Sequence, residues 1–148
     1  MKKILLVLVM CMLLVGCGGK KESKTLNLDD INTKLSETGL FDATEKIDLT
    51  YIENKYGLDS TGIEEYSIYM ARTSMSASMY AIFKVSDDKA KDRIENTFID
   101  KYVHSWTDIV YEPEEAKLVN DMHSEKYGNY LIYIISKDND KVLSIIKG

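Results

Sequence analysis

The sequence predicts an α+β fold with a four-stranded antiparallel sheet and helices packed mainly on one face. Segments with strand character come in two pairs, and each pair is followed by a helical segment. No strand alternates singly with a helix, which argues against a parallel sheet. The core order is therefore ββαββα, preceded by N-terminal helices, and residues 27–148 are predicted to form one domain.

Two short helices are predicted before the sheet. Apolar residues recur at helical spacing over residues 28–38, behind an asparagine that can cap the first turn. A second helix is predicted over residues 48–57, because Thr50 and Glu53 have the spacing of a capping box and Gly57 can end the helix.

A β-hairpin and the longest helix are predicted next. Residues 66–72 and 77–85 are predicted strands, and the alternation in the second is typical of a strand with one buried face. Residues 88–106 form the predicted long helix, because acidic residues begin it, where the helix dipole is positive. Its broad apolar face consists of Ala90, Ile94, Phe98 and Tyr102, with Ile99, Val103 and Trp106 beside them.

A second hairpin and a closing helix complete the prediction. Residues 111–116 include the only proline and are predicted to form a loop, followed by a weaker strand over residues 117–126. Residues 127–129 suit a tight turn, because Gly and Asn tolerate a positive φ. Residues 130–136 are apolar on both faces, which predicts a central strand, and residues 138–147 have the amphipathic pattern of a helix.

Residues 1–16 are predicted to be a lipoprotein signal peptide. Two lysines precede an uninterrupted apolar stretch, Ile4 to Val15, which is shorter than the about 20 residues that a spanning helix needs. The stretch ends in Leu14-Val15-Gly16-Cys17, the pattern of a bacterial lipobox. We therefore expect cleavage between Gly16 and Cys17 and lipidation of Cys17. The alternative is an ordinary secretory signal, or a short membrane anchor, with a chance cysteine.

Residues 17–26 are predicted to be the lipidated cysteine and a flexible tether. Residues 18–25 read GGKKESKT and contain no apolar side chain. Two or three acyl chains on Cys17 satisfy the rule that stable anchoring needs more than one chain. The expected location is the extracytoplasmic face of the cell membrane, at a Gram-positive cell surface, and the expected partner is that membrane.

The charge of the chain excludes some classes of partner. The formal net charge is −5, and removal of residues 1–16 takes away two lysines and no acidic residue, so the mature chain carries −7. A net anion is repelled by phosphate backbones and anionic headgroups, which argues against nucleic-acid binding and electrostatic membrane docking. Cys17 is the only cysteine after cleavage, so neither an internal disulfide nor a thiolate metal site is expected in the mature domain.

Short motifs follow one another in a defined order along the chain. Besides the lipobox, these are Tyr56-Gly57-Leu58, Glu65-Tyr66, Ala81-Ile82-Phe83-Lys84-Val85, Arg93, Trp106, Tyr111, Pro113-Glu114 and Gly128-Asn129-Tyr130. In this order they resemble the lipoprotein family labelled domain of unknown function 4358 (DUF4358). The chain departs from the family at Met79-Tyr80, where members often carry an acidic residue. The resemblance implies the fold and the membrane-anchored location, and it implies no catalytic residue or cofactor.

The two histidines, His104 and His123, are candidates for proton transfer or ligand binding. They lack the spacing of metal ligands, and a surface location is the favoured interpretation for both. The acidic residues around Glu114 lack the pattern of a calcium loop and fit a solvated loop better than a cation site. Those residues are Asp108, Glu112, Glu114, Glu115 and Asp121. The sequence therefore assigns no metal, cofactor or catalytic residue.

Three aromatic residues form the candidate binding surface. They are Trp106, Tyr102 and Tyr111, and aromatic side chains are enriched at binding hot spots. Core packing of Trp106 at the end of the long helix is the favoured alternative.

These observations favour a membrane-anchored extracytoplasmic lipoprotein with a non-enzymatic binding or accessory domain, whose partner is an envelope protein or a small ligand. The alternative is an uncharacterised envelope enzyme with a cleft that uses His104 or His123 and nearby carboxylates. A substrate-binding lipoprotein of a transporter ranks last, because the mature chain is small for a two-lobed clamp.

Overall fold

The computed structural model describes residues 24–108 and 113–148, and in this part of the chain five strands form one antiparallel sheet. The strands are β1 (Thr44–Lys46), β2 (Ile63–Ala71), β3 (Met79–Val85), β4 (His123–Tyr127) and β5 (Tyr130–Ile135). The helices are α1 (Leu28–Ser36), α2 (Leu49–Tyr56), α3 (the consecutive segments Asp88–Arg93, Ile94–Ile99 and Asp100–Thr107), α4 (Pro113–Asn120) and α5 (Asn139–Lys147). The predicted α+β class is confirmed.

The sheet has the strand order β1-β2-β3-β5-β4, and the prediction of four strands is wrong by one. The additional strand, β1, pairs with the end of β2, with Glu45 opposite Met70. Backbone hydrogen bonds extend this pairing on both sides, from Ile47 N to Ile68 O (2.8 Å) and from Arg72 N to Ala43 O (2.9 Å). Because β1 has only three residues and all are polar, it carries no alternation that a sequence pattern could reveal.

Helices cover both faces of the sheet, so the prediction that they pack mainly on one face is wrong. One hydrophobic cluster joins α2, α3 and α4 to the sheet, and a second joins α1 and α5 to the opposite face. The cause lies in β3, where Ala81 and Phe83 belong to the first cluster while Tyr80 and Ile82 belong to the second. The alternation in β3 therefore does not mark a half-buried strand. β5 is buried along its whole length, as its apolar run predicts.

Part of the predicted strand over residues 117–126 is helical instead. α4 begins at Pro113, and the strand β4 starts only at His123. Proline suits the first turn of a helix, where its missing N–H has no intrahelical partner, and Glu114 and Glu115 lie where the helix dipole favours acidic side chains. The predicted loop over residues 111–116 is therefore wrong from Pro113 onward.

The cap of α2 also differs from the prediction. Asp48, and not Thr50, precedes the helix, and its Oδ1 accepts a hydrogen bond of 2.9 Å from Thr50 N. Gly57 ends α2 with a φ of 75°, as predicted.

A π-helical segment in the middle of α3 keeps the apolar residues of this helix facing the sheet. Ala90, Ile94, Phe98, Tyr102 and Trp106 lie four residues apart. An α-helix turns by about 100° per residue, so each step of four overshoots a full turn by about 40°. The π-helical segment has hydrogen bonds from i to i+5 and turns less per residue. All five side chains are therefore buried, including the two nearest the end of the helix.

Candidate functional site

A groove of about 690 Å³ lies at the end of the sheet where β2 turns into β3. It is lined by residues 45–48 around β1, by one side of α2, by residues 70–74 and Ser76, and by the last turns of α3. Small-molecule sites in proteins have volumes of about 300–1,000 Å³, and this groove falls in that range. Two of the predicted binding residues, Tyr102 and Trp106, line this groove.

The aromatic lining of the groove is part of the hydrophobic core. Tyr102 and Trp106 are 4% and 9% exposed, and their ring centroids are 6.4 Å apart. Phe98 lies between the rings of Tyr56 and Tyr102, at 5.2 and 6.2 Å. The Tyr102 hydroxyl donates to Ala77 O at 3.1 Å, and burial raises the pKa of this phenol far above its usual value. These rings therefore form a rigid, neutral surface.

The predicted binding surface is brought together only in part. Tyr102 and Trp106 both line the groove, while Tyr111 lies outside the described residues. The small exposed fraction of Trp106 agrees with core packing of most of its ring. Whether these residues bind a ligand stays a prediction.

A lysine and an arginine place positive charge along the groove. Lys55 Nζ donates to the Tyr51 hydroxyl at 2.9 Å and lies 5.2 and 5.3 Å from the ring centroids of Tyr51 and Tyr56. The pKa of Lys55 is raised, chiefly by the hydrogen bond to Tyr51, so Lys55 is a cation at neutral pH. The Arg72 guanidinium lines the groove and has no carboxylate within 4 Å among the described residues, so none of them competes with a ligand for its five donors.

Two carboxylates line the same groove, and they differ in availability. Both oxygens of Asp48 are used within the fold, one by Thr50 N and the other by the Tyr66 hydroxyl at 3.3 Å. The pKa of Asp48 is lowered, chiefly by the backbone hydrogen bond from Thr50. Glu45 is exposed and has no ion pair among the described residues, so it is the lining carboxylate that a ligand would meet.

Asp42 holds the turn between β2 and β3 in place beside the groove. Its Oδ2 accepts from the Ser76 hydroxyl at 2.6 Å and from the Ser78 hydroxyl at 3.4 Å, and its Oδ1 accepts from Lys137 Nζ at 3.0 Å. The pKa of Asp42 is lowered, first by the hydrogen bond from Ser76 and then by Lys137. Ser76 and Ser78 are buried, so their hydroxyls serve this connection.

Asp42 makes the turn sensitive to acid. A carboxyl whose pKa is lower in the folded than in the unfolded state contributes stability above the unfolded pKa, and loses it as the pH falls through the folded pKa. We expect Asp42→Asn to be less stable than the unmodified protein by about 1 kcal/mol at pH 7. The difference should shrink below pH 4, near the ordinary pKa of 3.8.

Urea denaturation at pH 7 and at pH 3 measures this effect. Asp140→Asn is the matched control, because Asp140 is an exposed carboxylate in the first turn of α5. An Asp42→Asn variant that loses the same stability at both pH values would contradict the prediction.

The two histidines are separated from each other and do not line the groove. His104 is exposed, and its Nδ1 lies 2.8 Å from Asp100 O, which raises the pKa of the imidazole. His123 is in β4, with its Nε2 3.2 Å from Glu125 Oε2. The structure therefore places no imidazole beside the aromatic and cationic lining.

The acidic residues that the sequence suggested for a cation are dispersed. Glu115 Oε2 accepts from Ala77 N at 2.6 Å, and Asp121 pairs with Lys117. Glu114 is exposed, and Glu112 lies outside the described residues. Within residues 24–108 and 113–148, no group of three or more His, Cys, Asp or Glu is arranged to hold a metal ion.

Sequence reasoning missed Tyr51, Lys55 and Arg72. Tyr51 and Lys55 are four residues apart on α2, on the side that does not carry the buried Ile52, and Tyr51 is 45% exposed. A tyrosine on the polar side of an amphipathic helix was the available signal. Arg72 follows β2 directly, and nothing in its local sequence distinguishes it from other surface cations.

The fold and the groove define a three-layer α+β domain with an aromatic, partly cationic binding groove. A family model described as domain of unknown function (DUF4358) matches residues 37–136, and the chain belongs to this family. The predicted resemblance is confirmed over these residues, which contain the sheet and every residue that lines the groove. No curated protein matches the chain, and no solved structure matches it.

The match leaves both ends of the chain outside the family model. α1 and α5, which together cover the second face of the sheet, lie beyond residues 37–136, and so does Cys17. Among the described residues, no helix has the length and apolar character to cross a membrane.

Proposed function

We propose that this protein is a lipid-anchored extracytoplasmic binding domain. Acylated Cys17 holds it at the outer face of the membrane, and the groove between α2 and α3 binds a small ligand that carries a carboxylate. The observation that carries the binding proposal is that one groove holds both a rigid aromatic lining and the Arg72 guanidinium, which has no carboxylate partner among residues 24–108 and 113–148. Arginine matches the two oxygens of a carboxylate, and the exposed Tyr51 ring offers an apolar surface in the same groove.

The contrast with the rest of the molecule supports this choice of ligand. The mature chain carries a net charge of −7, yet Lys46, Lys55 and Arg72 outnumber Glu45 and Asp48 in the groove. Asp48 stays negatively charged, but both of its oxygens are bonded within the fold, so it does not compete with a ligand for the donors of the groove.

Fluorescence of Trp106 tests the proposal directly, because it is the single tryptophan of the chain and lines the groove. The probes are matched pairs: a tripeptide acid with its amide, and a uronic-acid disaccharide with its neutral counterpart. We expect at least one acid to bind and its neutral partner to bind far more weakly. Equal titration curves for acid and neutral probes in both pairs would refute the choice of ligand.

Arg72→Ala is expected to weaken binding of the acid about 10- to 150-fold, because a charge-assisted hydrogen bond is worth about 1.5–3 kcal/mol. Lys34→Ala is the matched control, since Lys34 pairs with Asp30 on α1 and lies outside the groove. The control variant should retain the affinity of the unmodified protein. A similar loss in both variants would indicate a general charge effect and not a site at Arg72.

Replacement of Cys17 tests the anchor. In Cys17→Ser we expect loss of acylation and release from the membrane fraction, because no other residue of the mature chain offers a thiol. Mass spectrometry of the unmodified protein should find residue 17 at the N-terminus with acyl mass attached. Retention of residues 1–16, or tight membrane association of Cys17→Ser, would contradict the anchor.

A further inference from the structure

The described chain begins beside the turn between β4 and β5. A Cβ atom added to Gly128 in this turn would lie 3.9 Å from Lys24 Cβ and 4.0 Å from Lys24 O. Lys24 Nζ also lies 4.4 Å from the ring centroid of Tyr127, and Leu26 N donates to the Tyr130 hydroxyl at 3.3 Å. A cation–π contact and a hydrogen bond therefore hold residues 24–26 against this end of the sheet.

The groove is at the opposite end of the strands and toward the opposite edge of the sheet. In β3, Met79 lies next to the turn that lines the groove, while Lys84 pairs with Tyr130 beside the β4–β5 turn. The five residue steps between them span about 17 Å. From β1 at the groove to β4 beside Lys24 there are four strand spacings, or about 19 Å. Only the next residues, 25–29, approach β1, where they line a second cavity with Lys46.

The segment between the proposed anchor and residue 24 is short. Residues 17–23 number seven, and a chain spans at most about 3.3–3.6 Å per residue, so they reach no more than about 25 Å. The β4–β5 turn is therefore within this distance of the lipid headgroups whenever Cys17 is acylated.

The chemistry of this end of the sheet suits a headgroup region. The partly buried Tyr127 has Lys24 Nζ on its ring at 4.4 Å and Lys147 Nζ at 5.4 Å. Tyrosine and lysine favour the boundary between apolar chains and water, since each combines an apolar body with a polar tip. Two acidic side chains beside this turn are paired, Glu125 with Lys147 and Asp88 with Lys126. Headgroup anions repel the remaining, strongly acidic surface, which favours this orientation.

We propose that the β4–β5 turn faces the bilayer and that the groove opens away from it. This inference rests on the lipid anchor of the proposed function. Its consequence is that the groove takes its ligand from the side of the cell wall and the medium, and not from lipid headgroups.

Two single-cysteine variants test the orientation, because acylation occupies the thiol of Cys17. Asn129→Cys places a dye at the β4–β5 turn, and Ser74→Cys places one at the groove; both positions are exposed. The lipidated, full mature proteins are reconstituted in phosphatidylglycerol vesicles that contain a lipid with a nitroxide on its headgroup. We expect several-fold stronger quenching of the dye at residue 129 than at residue 74, and equal emission in vesicles without nitroxide.

Flotation of the same samples separates the two proposals. Proteins that float with the vesicles but show equal quenching, or stronger quenching at residue 74, overturn the orientation and leave the anchor intact. Unmodified protein that does not float with the vesicles overturns the anchor, and the orientation with it.

Discussion

Phe98→Ala is expected to lower the free energy of unfolding by about 3–5 kcal/mol, because it removes a fully buried aromatic side chain and leaves a cavity. The Phe98 ring lies 5.2 Å from Tyr56, 6.3 Å from Phe83 and 6.2 Å from Tyr102. The loss therefore affects both the contact between α3 and the sheet and the support beneath the groove. A cavity here also loosens Tyr56 and Tyr102, so we expect the emission of Trp106 to change.

Phe98→Leu is the matched control for this prediction. Leucine keeps most of the buried volume, and such substitutions usually cost less than about 1.5 kcal/mol. Urea denaturation followed by circular dichroism measures both variants on one scale. An alanine variant no less stable than the leucine variant would show that the groove lining does not depend on this packing.

Asn32→Ala is expected to cost about 2–4 kcal/mol, because it leaves two buried hydroxyl groups without an acceptor. Asn32 Oδ1 accepts from the Ser67 hydroxyl at 2.7 Å and from the Tyr80 hydroxyl at 3.1 Å. Ser67 and Tyr80 are 1% and 2% exposed, so water does not readily replace the lost acceptor. These bonds attach α1 to the face of the sheet that lies opposite the groove.

A triple variant distinguishes the cost of unpaired donors from the loss of packing. In Asn32→Ala/Ser67→Ala/Tyr80→Phe no donor remains unsatisfied, so we expect it to be more stable than Asn32→Ala alone. Thermal or urea denaturation of the two variants gives the comparison. A triple variant that is equally or less stable would assign the effect of Asn32 to packing.

Local patterns predicted most of the regular structure. The two hairpins, the long helix and the closing helix follow from apolar spacing, because a helix or strand buries one set of side chains at a fixed interval. The four-residue spacing from Ala90 to Trp106 also contained a signal for the π-helical segment, since an ideal α-helix would rotate those residues away from the sheet.

The errors arose where pairing between distant residues decides the structure. β1 forms because its backbone meets β2, and its three polar side chains contribute no pattern. α1 and α5 cover the second face because β3 and β5 are apolar on both sides, and alternation between two apolar environments resembles alternation between core and water. Pro113 was interpreted as a loop residue, although it also suits the first turn of a helix.

In the candidate site, too, local patterns predicted some residues, and contacts between distant residues decided the others. Tyr102 and Trp106 were predicted from their chemistry and their place on the long helix. Tyr51 and Lys55 lie on α2 and Arg72 directly follows β2, and no spacing in the sequence relates them to the end of α3. Sequence motifs reveal a site when its residues lie close along the chain, and this groove is assembled from residues up to 61 positions apart.

The sequence by itself determined the periodic elements, the α+β class and the prediction of an anchor at Cys17, because each of these depends on neighbouring residues. Only the tertiary structure decided that helices cover both faces, that a cationic and an aromatic lining meet in one groove, and that Lys24 lies at the opposite end of the sheet from this groove. Those features depend on contacts such as Lys137 with Asp42 and Leu26 with Tyr130, 95 and 104 residues apart, whose formation requires the folded sheet.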